Sequence, residues 1–349
     1  LSTSNFYKSV NITQLNRFTD IIDVRSPAEF AIDHIPNARN YPVLSDLERT
    51  QIGLIYKTSP FLARKLGSTY VMQHISQLIK HDFFQYDRNW KPLIYCWRGG
   101  LRSRALTIIL NQIGWKACQL TGGYKTYRKY VLDSLIQLPQ QFAFRVICGP
   151  TGSGKSQLLK TLNQLNVQVV NLEELAKHKG SVLGLSGDNV QPTQRWFDSI
   201  LLQTLKKFSP SRPIFIEAES KRIGKICLPN SLYQSMHQSQ CIFLEAPINE
   251  RINFLLTTYR FFIDHPTDLI KKLARLTPIR GHETIKKWQT LIQYKKFYVL
   301  VEELLSTHYD KLYQQSLDRH YQQMDKAQHI FLPNLHQKTI DQTALMLAK

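Results

Sequence analysis

Short runs of apolar residues, bounded by Gly, Pro or charged positions, recur along the 349-residue chain. Between them lie longer stretches with apolar residues every three or four positions. Unbroken apolar runs too short for a helix suit strands buried on both faces, and the longer spacing suits amphipathic helices. In the first part this predicts strands at 20–24, 93–95 and 117–120, with another short one inside 33–42. Helices are predicted at 26–31, 47–56, 60–79, 105–110 and 127–135, with Pro27 in a first turn and Gly53 and Gly67 at close helix contacts. In the second part strands are predicted at 144–148, 167–170, 213–216 and 241–244, with 329–332 as a late fifth, and helices at 157–165 and 249–258. Pro139 to Gln141 marks the boundary, giving domains over 1–138 and 142–349, the second turning mostly helical from about Tyr259. Strands alternating with helices predict an α/β fold with a parallel sheet in each domain.

Two of these strands run into loops with chemistry. The run Leu93-Ile94-Tyr95 leads to Cys96-Trp97-Arg98-Gly99-Gly100-Leu101-Arg102-Ser103 and then a helix. Glycines let backbone N–H groups turn inward, and a helix N-terminus adds partial positive charge. With Arg98, Arg102 and Arg104 close by, these donors favour a thiolate nucleophile at Cys96. Five residues separate Cys96 from Arg102, a ring wide enough for a tetrahedral oxyanion. A cysteine alone at a strand end is most often a packing residue; the glycine pair and the arginines point to the reactive alternative.

The strand 144–148 runs into Gly149-Pro150-Thr151-Gly152-Ser153-Gly154-Lys155-Ser156, a phosphate-loop pattern with a strand before it and a helix after. Its N–H groups suit a diphosphate, Lys155 the outer oxygens, and the Ser156 hydroxyl a Mg²⁺ ion. The pattern does not decide between ATP hydrolysis and simple binding of a diphosphate. The strand 213–216 ends at Glu217, with Glu219 two residues on. Glu217 stands where a carboxylate would hold metal-bound water; a surface acid or helix cap is the plainer alternative.

The net charge of +19 changes the picture of partners. Residues 1–140 carry 18 Lys+Arg against 9 Asp+Glu and the remainder 27 against 17, so both parts are basic. A nucleic-acid partner fits best. From Tyr259 on, basic and aromatic residues interleave; Arg222, Arg260, Lys271, Lys272, Arg275, Lys286 and Lys287 are the candidates for RNA phosphates, and most of the aromatics are expected to pack. Five cysteines without metal-ligand spacing argue against a disulfide framework or structural zinc site and for a reducing cytoplasm. No apolar run reaches membrane-span length and the first twenty residues show no signal-peptide pattern.

The segments Asp23-Val24-Arg25-Ser26-Pro27-Ala28-Glu29-Phe30, His34-Ile35-Pro36-Asn37-Ala38, the Cys96 loop and Thr121-Gly122-Gly123-Tyr124 come in the order seen in rhodanese domains, which the first part resembles. The resemblance implies a parallel sheet flanked by helices that carries sulfur or selenium on the loop cysteine. This loop is one residue longer before the arginine than in the usual sulfurtransferase. Its length is similar to that of rhodanese-fold phosphatases and arsenate reductases, where the loop accommodates an oxyanion.

Fused to a phosphate-loop domain in one basic chain, it resembles the bacterial tRNA 2-selenouridine synthase family. The matching segments are Tyr95 to Gly100, the helical residues Gly53, Tyr56, Ala63 and Gly67, Leu172-Glu173, His178-Lys179-Gly180-Ser181, and Ile216-Glu217-Ala218-Glu219-Ser220-Lys221-Arg222-Ile223-Gly224. Asn171 departs from the Asp expected there. The resemblance implies replacement of the sulfur of wobble 2-thiouridine by selenium from selenophosphate, through S-geranylation by geranyl diphosphate. It also implies the tRNA anticodon arm as partner, and a selenophosphate-supplying enzyme upstream. Two other readings stand beside it. One is a Cys96–Arg102 phosphatase or arsenate reductase with an ATP-driven regulator, against which Tyr95 stands where such phosphatases carry His. The other is a nucleotide-dependent RNA-binding protein with an inert rhodanese domain.

Overall fold

A computed structural model describes residues 7–181, 183, 184 and 190–349; residues 1–6, at the start of the predicted first domain, lie outside the described residues. The chain divides into two compact units, Leu1–Ser134 with Asp198–Gln203, and Leu135–Phe197 with Thr204–Lys349.

The first unit is a five-stranded sheet in the order β1-β5-β4-β2-β3, built from β1 (Ser9–Val10), β2 (Asp20–Asp23), β3 (Arg39–Asn40), β4 (Pro92–Tyr95) and β5 (Cys118–Leu120). Every pairing is parallel. The central strand β4 is buried along its whole length, which is why its sequence is a plain apolar run. Helices α1 (Pro27–Ile32), α2 (Asp46–Thr58), α3 (Pro60–Leu78), α4 (Leu101–Ile113) and α5 (Gly123–Gln137) accompany the strands. Ser45 caps α2: its hydroxyl accepts from Glu48 N–H at 3.3 Å while Glu48 accepts from Ser45 N–H at 2.7 Å. Pro60 opens α3 and Gly114, at φ 114°, closes α4. Ile22, Val71, Ile75, Phe83, Ile94 and Leu106 are among the core residues.

Three features differ from the expectation. Strand β1 escaped the hydrophobic pattern because it is two residues long. Helix α5 begins at Gly123, four residues early, because the Gly-Gly turn feeds it directly. Gly53 and Gly67 do not sit at tight crossings: a Cβ on Gly53 would meet only the Arg49 guanidinium, and one on Gly67 only Ile52, at an ordinary 3.5 Å.

The second unit holds another parallel sheet, ordered β12-β11-β6-β8-β7. Its strands are β6 (Phe144–Cys148), β7 (Val169–Val170), β8 (Ile214–Glu217), β11 (Gln240–Glu245) and β12 (Gln328–Phe331); a small antiparallel hairpin, β9 (Arg222–Ile223) and β10 (Ile226–Cys227), stands apart. Helices α6 (Lys155–Gln164), α7 (Leu172–Ala176), α9 (Asn230–His237) and α10 (Ile248–Thr258) accompany the strands, α16 (Gln337–Leu347) packs on α6, and α8 (Gln194–Leu205) has its middle residues Asp198–Gln203 in the first unit. The helical extension is α11 (Arg260–Asp264), α12 (Pro266–Leu273), α13 (Thr277–Gln293, interrupted at Gly281), α14 (Phe297–Leu304) and α15 (Asp310–His320). It has its own core, in which Trp288 is fully buried among Phe262, Leu269, Leu273, Ile292 and Leu300. The interleaved aromatics are therefore mostly packing residues; Tyr294 and Tyr298 remain exposed.

Candidate functional site

In the first unit Cys96 follows the buried end of β4, so its sulfur lies where the strand stops and the loop turns away. The residue is only 3 % exposed, yet its surroundings are polar on the loop side. Gly100 N–H donates to Sγ at 3.2 Å and the Ser103 hydroxyl at 3.1 Å. Ser103 is itself held by Gln119 on β5, whose amide N–H donates to Ser103 Oγ at 2.5 Å and to Gly100 C=O at 3.1 Å. Gln119 is a fully buried polar residue that the sequence reading missed; a glutamine inside an apolar strand is the signal that could have found it.

The loop is held from behind by the Gly122-Gly123 turn. Tyr124 N–H donates to Cys96 C=O at 2.8 Å and Lys125 N–H to Trp97 C=O at 3.0 Å. Gly123 sits at φ 58°, and a Cβ there would lie 2.3 Å from Cys96 O and 2.6 Å from Gly99 N. Only glycine lets the two backbones approach this closely. The turn is in turn fixed by Tyr124, whose hydroxyl donates to Asp33 at 2.7 Å and whose ring lies 4.0 Å from the Arg25 guanidinium. Arg25 is buried and paired with Asp23, Nη2 to Oδ2 at 2.6 Å, and donates to Asp33 C=O at 2.7 Å. Burial opposes charge on Arg25, but its hydrogen bonds and attraction to Asp23 raise its pKa above the ordinary value.

Arg102 donates to Glu29 at 2.9 Å, Arg104 lies 4.7 Å from the Tyr7 ring, and Arg98 is exposed. The donors that reach the sulfur are a backbone N–H and a hydroxyl, while Arg102 is engaged by a carboxylate from α1. Burial alone would raise the Glu29 carboxyl; Arg102, Ser26 N–H and Arg49 outweigh it and hold it below the ordinary range. Trp97 is half-buried with its ring 5.2 Å from Tyr124, Gly99 takes φ 64°, and Leu101 is exposed.

In the second unit Gly149, Gly152 and Gly154 take positive φ and turn the loop between β6 and α6. A Cβ on Gly149 would lie 2.6 Å from Leu244 O, so the loop fits closely against β11. Gly149 N–H donates to Tyr313 Oη at 2.9 Å. Arg251, buried on α10, donates to Thr151 C=O at 2.9 and 2.8 Å and pairs with Asp310 through both oxygens. Tyr313, Arg251 and Asp310 were missed because they reach the loop from distant helices. The Lys155 ammonium donates to the C=O of Gly149 at 2.5 Å and of Pro150 at 3.1 Å. Burial lowers its pKa, against the attraction of Glu173 and Glu219. Ser153 Oγ is buried without a hydrogen-bond partner among the described residues.

Three carboxylates gather by this loop. The Ser156 hydroxyl donates to Glu173 at 2.9 Å, and Glu173 N–H donates to Glu217 Oε1 at 2.7 Å, leaving Oε2 of Glu217 buried and unpartnered among the described residues. Burial, then the nearness of Glu173 and Glu219, pushes Glu217 well above the carboxylate range. Burial and the Glu173 charge push Glu219 up to about 7. Among the described residues no group of three or more His, Cys, Asp or Glu side chains is arranged to hold a metal by itself. The unpartnered Glu217 oxygen and Ser156 hydroxyl fit the pattern in which Mg²⁺ is held largely by phosphate oxygens and water. Asn171 serves as a helix cap, accepting from Glu174 N–H at 2.9 Å.

The RNA candidates are brought together only in part. Lys271, Lys272 and Arg275 share α12 and the turn after it, while Arg222 is exposed on the β9 hairpin and Lys286 on α13. Arg260 lies 3.9 Å from Asp264, Lys287 pairs with Glu303 at 2.8 Å, and the Lys272 ammonium lies 4.9 Å from the Phe262 ring. No helix among the described residues is long and apolar enough to cross a membrane.

Comparison with known proteins adds family evidence. A family profile described as the tRNA 2-selenouridine synthase AAA domain matches residues 142–332, and one described as a rhodanese-like domain matches residues 9–130. A tRNA 2-selenouridine synthase of Nitrosomonas europaea is 33 % identical over 247 residues, 69 % of this chain and 63 % of that protein. One of Alcanivorax borkumensis is 33 % identical over 269 residues, 73 % of this chain and 72 % of that protein, and one of Marinobacter nauticus 29 % identical over 334 residues, 85 % and 88 %. The match thus spans just under two thirds of the Nitrosomonas protein's length.

The geometry makes two predictions. Replacing Gly123 by Ala forces a side chain into the Cys96 and Gly99 backbones and is expected to cost about 2–4 kcal/mol in denaturant unfolding; an unchanged midpoint would contradict the role of the turn. Glu219 has a folded pKa of about 7 against an ordinary 4.5, so the native state binds the extra proton and its stability falls as pH rises between those values. Glu219→Gln is therefore expected to gain about 1–3 kcal/mol on the wild type from pH 5 to pH 8; parallel unfolding profiles would contradict the assignment.

Proposed function

The chain belongs to the tRNA 2-selenouridine synthase family, and from that membership and its two anion-binding loops we propose that it exchanges the sulfur of a wobble 2-thiouridine for selenium. The thiocarbonyl sulfur is a poor leaving group, and alkylation makes it a better one. In the first step that sulfur attacks C1 of geranyl diphosphate; a C–S bond forms and diphosphate leaves. In the second, selenium of selenophosphate attacks C2 of the base and geranylthiolate leaves; water then cleaves the Se–P bond, releasing phosphate and 2-selenouridine.

The Gly149–Ser156 loop takes the diphosphate, with Lys155 and the loop N–H groups as donors. A Mg²⁺ ion there would sit on the Ser156 hydroxyl and the diphosphate oxygens, with Glu217 and Glu219 on its water shell, and would screen the departing charge. The Cys96 loop takes the selenium donor, whose tetrahedral oxyanion suits the ring formed by Gly99, Gly100 and Ser103. The single observation that carries this reading is the cysteine under two hydrogen-bond donors, Gly100 N–H and the Ser103 hydroxyl, in a chain that also carries a phosphate loop. The tRNA anticodon arm is the macromolecular substrate, with the basic residues Arg222, Lys271, Lys272, Arg275 and Lys286 contributing phosphate contacts. The reaction belongs in the cytoplasm, downstream of an enzyme that supplies selenophosphate.

Two variants test the division of labour. Cys96→Ser is expected to abolish 2-selenouridine while leaving S-geranylation in place, and Lys155→Ala to weaken geranyl diphosphate binding by about 10–100-fold. Nucleoside analysis and calorimetry measure the two; selenation by Cys96→Ser, or full affinity in Lys155→Ala, would overturn the respective assignment.

A further inference from the structure

In the second unit the segment after α7 turns back sharply against the carboxylates that gather by the phosphate loop. Lys177 takes φ 49° and Gly180 φ 67°, both left-handed. A lysine avoids that region because its Cβ crowds the following carbonyl, so the surroundings must hold the turn. Gly180 lies against Glu219: a Cβ there would stand 2.9 Å from Glu219 Oε1. Between these residues the backbone of Lys179 is tied at both ends. Its N–H donates to Gly184 C=O at 3.0 Å, and its C=O accepts from Ser181 N–H at 2.7 Å.

The turn therefore fixes where the Lys179 side chain starts. That side chain is half-buried, with its ammonium 4.5 Å from the centre of the Tyr259 ring. Burial lowers its pKa, against the attraction of Glu173. Lys155 stands in the same field: burial lowers it, and Glu173 is the first of the charges that oppose the shift. Glu173 is itself hydrogen-bonded to the phosphate loop, through the Ser156 hydroxyl. The two ammonium groups differ in what they touch. Lys155 is engaged by the carbonyls of Gly149 and Pro150, whereas Lys179 meets no hydrogen-bond acceptor and no ion-pair partner among the described residues. A ring face steadies a cation and leaves its N–H groups available to another acceptor.

Charge balance names the acceptor. A diphosphate on this loop carries several negative charges and meets the Glu173 carboxylate as well, and Lys155 offsets only one of them. A lysine is a common phosphate ligand because it acts as a compact point charge. We propose that Lys179 is a second cationic ligand of the diphosphate group held by the Gly149–Ser156 loop. The inference rests on the phosphate-loop reading above and deepens it. The diphosphate group can belong to an isoprenoid diphosphate or to a nucleoside triphosphate, and Lys179 meets the phosphates that both share.

The test uses the full chain at a fixed Mg²⁺ concentration. Lys179→Met keeps an apolar stem on Tyr259 and removes the charge, and Lys179→Arg keeps the charge. In calorimetry with inorganic diphosphate, Lys179→Met is expected to bind at least about tenfold more weakly than wild type, and Lys179→Arg close to wild type. Geranyl diphosphate and ATP, titrated in parallel, separate the sources: whichever of them the wild type binds shows the same loss in Lys179→Met. A second measurement needs no substitution. Brief amine acetylation of the wild type, read by peptide mass spectrometry, is expected to be lost at Lys179 when diphosphate is added and to hold at Lys160, which is exposed on α6. Wild-type affinity in Lys179→Met, or equal acetylation of Lys179 with and without diphosphate, would overturn the inference and leave the phosphate-loop reading intact. A wild-type protein that binds none of the three anions would overturn both.

Discussion

Both halves of this protein depend on one constraint: a buried parallel strand must release its chain at the carboxyl end into a loop whose N–H groups face inward. In the first unit β4 does this at Cys96, and in the second β6 does it at Gly149. Parallel sheets bury strands on both faces and collect helix N-termini at one end, so the polar groups of these loops converge there. The same geometry places a cysteine at the end of one strand and a lysine at the start of the helix after the other.

What keeps the first loop in shape is a chain of contacts that runs well away from the sulfur. Asp23 holds Arg25, Arg25 and Asp33 hold Tyr124, and the turn before Tyr124 holds the carbonyls of Cys96 and Trp97. Breaking a buried ion pair of this kind by removing one partner leaves an uncompensated charge, which is far more costly than losing a surface pair. The second loop is secured by Arg251 on Thr151 and by Tyr313 on Gly149. Facing it, Glu217 and Glu219 are buried close enough to Glu173 that both are pushed above the ordinary carboxylate range. Such crowding disfavours three negative charges at once, and a bound cation would relieve it.

Strand and loop positions were legible because an apolar run and a glycine pattern are local signals. Leu93 to Tyr95 and Phe144 to Cys148 show themselves as buried strands, and Gly149 to Ser156 as a turn into a helix. The residues that organise those loops were not legible in the same way. Gln119, Arg251, Tyr313 and Glu173 act across long sequence separations, and nothing beside them in the chain marks their partners. Arg102 shows the same limit: sequence proximity put it near Cys96, but its partner Glu29 comes from a helix more than seventy residues earlier. The two helix-interior glycines were visible but misassigned, since spacing alone does not show what a Cβ at either position would meet.

The central claim is that alkylation at one anion loop precedes selenation at the other. Mass spectrometry of the wobble nucleoside measures it directly, after incubation of thiolated tRNA with selenophosphate and geranyl diphosphate and with each omitted in turn. The account predicts 2-selenouridine with both, S-geranyl-2-thiouridine without selenophosphate, and unchanged 2-thiouridine without geranyl diphosphate. Selenouridine formed in the absence of geranyl diphosphate would contradict it.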